Sequence, residues 1–299
     1  MIHEVLRSIR DQFRTIKSDL LGMDGTDLVM RLTLIDLLFR PVGDWLVRPF
    51  ILILAALGLI NEKVLRSPWT WLTLTLLTAF RVLRDWPMSD NHAYLLCYWC
   101  LALFITRLLD NDKTIAINGK LLIGLVFAFS TLWKVGLSDD YRDGRFFRVS
   151  MYTDPRFANA IMLAGGIDEW TVDRNQRYLM GPVDANGAAI PKLIEPKRAR
   201  LTASFLTWWT IFIEATIAAS FLWPFHNWFR RNRHLFLLLF CVTTYAVAAV
   251  AGFAWLLIIM GLAQCEVSRA KVRSLYLGVF CLVLFYKILP WDAIVSNLK

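Results

Sequence analysis

The residues best able to do chemistry stand where polar groups are costly, in or beside long apolar runs. Asn91-His92 opens one such run, Lys134 closes the next, and Glu214 lies in the middle of a third. A histidine at the water end of an apolar helix can both titrate and hydrogen-bond. A lysine turned into a helix bundle is desolvated and can serve as a base. A carboxylate in mid-run must be protonated, paired or set in a wet cavity. Each has a plainer reading. Asn91 caps the helix that follows while His92 bonds headgroups. Lys134 snorkels to the interface or pairs with Asp139 or Asp140, and Glu214 is a protonated structural acid.

These groups need a lipid-like frame, and composition supplies one. Of 299 residues 57% are hydrophobic and 19% charged, with 13 Trp and 20 Phe; ordinary globular chains carry about 25% charge. The expected fold is an all-α, polytopic helical membrane bundle of about eight or nine segments, short ones included. A net charge of +9 then reads as basic loops facing the cytoplasm and anionic headgroups, not as a nucleic-acid surface. The five cysteines all sit in or beside apolar runs, so no disulfide scaffold is expected. Cys97 and Cys100 share a helix face, but the long polar loop holds no cysteine to relay electrons to them. Four histidines without clustered cysteines or an HExxH pattern predict no transition-metal site.

Along the chain, residues 1–26 read as an amphipathic interfacial segment, with Leu6, Ile9, Phe13 and Ile16 at helical spacing. Residues 27–299 read as one transmembrane domain. The stretch 27–40 carries Arg31 and Asp36 and is too short for a standard span, so it is a half-helix or lies at the interface. Longer runs fall at 45–60, 69–83, 93–109, 120–137, 201–221, 235–265 and 272–289. The run 235–265 is long enough to be two short helices, broken near Gly252. Residues 138–200 form a polar loop with turn signals at Gly165-Gly166, Gly181-Pro182 and Asn186-Gly187. Lys and Arg in the short loops put 61–66, 107–120, 230–233 and 269–273 in the cytoplasm and the 138–200 loop outside. On that topology His92 and Lys134 lie at one outward depth on consecutive helices, as plausible neighbours.

Two motifs carry a resemblance. Asn91-His92-x-Tyr94-Leu95 opens one span, and Lys134 ends the next, followed by Asp140-Tyr141-Arg142-Asp143-Gly144. With the mid-span acid Glu214, this resembles the vitamin K-dependent gamma-carboxylase superfamily, whose bacterial members are the HTTM (horizontally transferred transmembrane) proteins. The resemblance runs over residues 27–290. It implies a bacterial inner-membrane protein with Lys134 as the base acting on a quinol such as menaquinol, and Asn91 and His92 as its catalytic partners. Tyr94, Asp140, Tyr141 and Glu214 would contact the substrate. The Lys-to-Asp interval is longer here, and Ile123-Gly124 stand where the family often has an Arg. No propeptide-recognition module is visible. The resemblance therefore implies quinol or lipid binding in an outward-facing intramembrane cavity, not glutamate carboxylation. The alternative is a non-catalytic subunit or scaffold of a larger membrane complex. Expected partners are lipids, a quinone and other membrane subunits.

Overall fold

The computed structural model describes residues 7, 11–12, 15, 18–40, 42–181, 193–225, 228–248 and 250–285. Most of the amphipathic segment 1–17, the turn signals Pro182 and Asn186-Gly187, and the terminal Pro290-Trp291 lie outside them. Among the described residues every regular element is helical. In chain order these are α1 (Gly25–Phe39), α2 (Arg48–Ile60), α3 (Glu62–Arg66), α4 (Pro68–Arg84), α5 (Asn91–Leu108) and α6 (Asp112–Leu132). A π turn, Trp133–Leu137, continues α6. Then come α7 (Asp139–Arg142), α8 (Arg145–Thr153), a single 3₁₀ turn, α9 (Ala158–Ala164) and α10 (Glu169–Met180). The series closes with α11 (Lys197–Leu222), α12 (Trp228–Arg231), α13 (Arg233–Val247), α14 (Ala251–Leu262) and α15 (Ala270–Phe285).

Among the described residues two helices, Asp112–Leu137 and Lys197–Leu222, are long and apolar enough to cross a membrane. Arg48–Ile60, Arg233–Tyr245 and Ala251–Leu262 are apolar but shorter. Several of these helices leave an apolar stripe uncovered at helical spacing. On α2 it is Phe50, Ile53, Leu57 and Ile60. On α6 it is Leu121, Leu125, Phe129 and Leu132, and on α11 Leu201, Phe205, Trp208 and Phe212.

The chain forms two compact units, one within Met1–Ile123 and Ala251–Leu282, the other within Gly124–Val250 and Val283–Lys299. The first is built around α14, whose residues 254–262 are all buried; a helix apolar on every side belongs inside. Beside it packs α1, the segment expected at the interface or as a half-helix. Asp24 starts α1 by accepting from the Thr26 and Asp27 N–H groups. Asp36 on α1 is fully buried and accepts from Arg40 one turn on, Nε to Oδ1 and Nη2 to Oδ2, both at 3.2 Å. The 235–265 run is two short helices, as expected, with the break just before Gly252, between α13 and α14. Gly252 makes room for Arg40: a Cβ there would lie 2.2 Å from Nη1. α4 and α5 pack as a hairpin, and Trp99 on α5 donates to the Thr33 hydroxyl of α1 at 3.0 Å.

The second unit is organised on α11. The 138–200 stretch is largely helical, α7 to α10, and closes a core of its own. Phe147, Met151 and Tyr152 from α8 and Ile161 from α9 pack on Ala199, Ala203 and Leu206 of α11. Polar ties hold the return strand of chain. Glu195 accepts from Arg148 at 2.6 and 2.7 Å and pairs with Arg200 at 3.2 Å. Asn175 brackets Ile194, donating to its carbonyl and accepting its N–H. α13 packs along the later half of α11, and Phe240 meets Phe127 of α6 edge-on at 4.8 Å.

The Arg148 guanidinium holds the Glu195 carboxyl below the ordinary glutamate range. A depressed folded value means stability present above the unfolded value, about pH 4.3, and lost as pH falls through the lower folded value. Thermal unfolding followed from pH 7 to pH 3 should show this loss. Glu195→Gln should cost about 1 kcal/mol at pH 7, because Arg148 is partly exposed, and should flatten the acid limb.

Candidate functional site

Lys134 lies in the π turn that ends α6, the wide helical register that collects at functional positions. The turn is inverted relative to a soluble helix. Trp133, Val135 and Leu137 are exposed, and its one cation is buried, 8% accessible. The Nζ donates to both oxygens of Glu214, each at 2.5 Å, and to the Ser130 hydroxyl at 2.9 Å. Glu214, on the middle turns of α11, is 6% accessible. Of the partners open to Lys134, the pair therefore forms with the mid-run acid. Asp139 is taken by Arg142, and Asp140 by Arg145 at 3.2 Å.

Close approach of the two helices is built in upstream. At Gly124 of α6 a Cβ would lie 2.5 Å from the Leu222 side chain of α11.

Tyr141 of α7 forms an aromatic wall, its ring centroid 5.1 Å from the Lys134 ammonium. The ring stacks on Phe146 at 4.4 Å and meets Phe147 edge-on at 5.8 Å. Burial, and then the Glu214 charge, push the Tyr141 phenol well above its ordinary range. Tyr245 of α13 is buried, its phenol lies within electrostatic reach of Glu214, and its hydroxyl has no hydrogen-bond partner among the described residues. Two opposite charges joined at this distance neutralise one another inside the apolar surroundings. The arrangement is a buried acid–base couple beside a flat aromatic face.

Asn91, His92 and Tyr94 belong to the first unit; Lys134, Asp140, Tyr141 and Glu214 belong to the second. Asn91 is the first residue of α5 and is exposed, while the capping position falls to Asp90, whose side chain makes no cap bond. The half-buried His92 has Nε2 3.7 Å from the Asp90 carboxylate and lies within electrostatic reach of Arg40 and Arg81. Tyr94 meets Trp86 edge-on at 6.4 Å. Within the second unit, Lys134, Tyr141 and Glu214 come together, and exposed Asp140 turns to Arg145.

Sequence reading missed Ser130, Tyr245 and the Asp36–Arg40 pair. Ser130 precedes Lys134 by four residues, and Arg40 follows Asp36 by four, the interval that sets two helical side chains on one face. Tyr245 carried no comparable signal.

Compared with protein-family models, with curated proteins and with solved structures, the chain matches none.

Losing one partner of a buried pair strands the other charge, at about 3–5 kcal/mol, whereas apolar replacement of both is far less costly. Lys134→Met and Glu214→Leu should each lower the melting temperature of the detergent-purified protein sharply. The double variant should recover most of the loss; additive losses would show that the pair is not coupled.

Proposed function

We propose that the chain is a polytopic helical protein of a bacterial inner membrane that holds a quinol, such as menaquinol, at the Lys134–Glu214 couple. The base at Lys134 is what the resemblance to the gamma-carboxylase-like HTTM proteins implies. The membrane reading draws on the uncovered apolar stripes of α2, α6 and α11, which in water would be large exposed patches. The observation that carries the site is the buried, charge-balanced pair walled by Tyr141.

The residues present fit such a group. A hydroxylated ring asks for a flat face and for polar atoms at its edge. Tyr141 offers the face, the Lys134–Glu214 couple gives and takes protons, and the Tyr245 hydroxyl is a buried donor still to be satisfied. When bound, a quinol supplies an acidic O–H and a redox-active ring. The chain's part is to receive the proton. With Lys134 as the ammonium, the Glu214 carboxylate accepts it; with the proton held on Glu214, the Lys134 amine is the base. Lys134 would hold the hydroxyl edge of such a ring, and Ser130 fixes the direction of Nζ. Burial excludes bulk water, which strengthens each of these interactions.

The test is retention of menaquinone, or a naphthoquinone analogue, by protein purified in mild detergent. Wild type should retain it. Lys134→Ala and the Lys134→Met/Glu214→Leu double variant should lose it, the double variant while staying folded. Unchanged retention in the folded double variant sinks the quinol reading. A stoichiometric protein partner with no quinone retained would favour the non-catalytic subunit instead.

A further inference from the structure

A second polar feature lies in the first unit, where the start of α2 meets the end of α4. A cleft of about 260 Å³ is lined there by Gly43, Asp44, Arg48, Arg81, Arg84 and Asp85. Three guanidiniums face two carboxylates. Arg84 pairs with Asp44, and Arg81 with Asp85 at 3.4 Å. Arg48 is held differently: its Nε and Nη2 donate to the Gly43 carbonyl at 2.9 and 2.6 Å. A carbonyl orients a guanidinium without cancelling its charge, so the cleft is left one positive charge in excess. The turn that presents the carbonyl needs glycine, because Gly43 has φ +86° and a Cβ would lie 3.1 Å from that of Val47. Arg48 is thereby pre-organised, with its Nη1 donors left over, a geometry suited to phosphate oxygens.

The rim points to the form that phosphate takes. Trp45 and Trp86, chain neighbours of Asp44 and Asp85, are 79% and 68% exposed. Exposed tryptophans beside arginines mark headgroup depth in a membrane. From the same end of α2 the uncovered stripe Phe50, Ile53 and Leu57 leads away along the helix. We infer that this cleft binds the phosphate of a headgroup with net negative charge, presented by an anionic phospholipid whose chains lie along α2. The inference shares with the proposed function only its membrane placement and is independent of Lys134.

Native mass spectrometry of the detergent-purified chain, offered equimolar phosphatidylglycerol and phosphatidylcholine, tests it. Phosphatidylglycerol should be preferred about fivefold, the worth of one cation at a headgroup. Arg48→Gln should bring the ratio near one, and Asp85→Asn, which adds a net positive charge, should raise it. If Arg48→Gln does not fold, the rise in Asp85→Asn carries the test. A melting temperature of wild type, but not of Arg48→Gln, raised by inorganic phosphate, without lipid preference, would keep the phosphate chemistry and assign it to a free anion. No preference and no phosphate effect overturns the inference. Monodispersity without detergent would instead overturn the membrane reading and leave the phosphate arm to decide the cleft.

Discussion

The second unit depends on one constraint: a lysine and a glutamate, 80 residues apart in sequence, must be buried together or not at all. Each alone inside an apolar bundle would cost several kcal/mol. Much of the local architecture follows from bringing them into register. Gly124 lets α6 approach α11 closely, and the π turn rotates Lys134 inward while its apolar neighbours stay outside. Tyr141 then covers the ammonium from α7, and Phe146 and Phe147 hold the tyrosine ring in place.

The first unit has its own buried charge, solved differently. Asp36 and Arg40 lie one turn apart on α1, so the helix itself makes the pair as soon as it forms. Only the space for the guanidinium must come from elsewhere, and Gly252 provides it. A local pair of this kind stabilises a helix whose polar residues would otherwise bar it from a core. The long-range pair in the second unit selects one arrangement of helices among many, because the nearby Asp139 and Asp140 are taken by Arg142 and Arg145.

The apolar runs were legible because a long stretch without charges has few alternatives to a helix. The runs 69–83, 93–109 and 201–221 are close to α4, α5 and α11. Lys134 and Glu214 stood out for the same reason, as charges in costly places. Their partnership did not, since a run of residues says nothing about which helix lies beside it. The π turn was equally hidden: one extra residue in a helical turn leaves the apolar pattern of 120–137 unchanged. Helices α8 to α10 were obscured by glycine and proline signals at their ends, although Phe147, Met151 and Ile161 already supplied a core. Gly252 was legible as a break, which falls just before it, but the room it makes for Arg40 was not, since only the neighbour reveals that.

α11 is 26 residues of unbroken helix, and its two halves do unlike work. Ala199, Ala203 and Leu206 near its start belong to the small core closed by α8 and α9; Glu214 further along belongs to the ion pair. The small core and the ion pair are thus carried by one continuous helix, the first by its opening turns and the second by its middle.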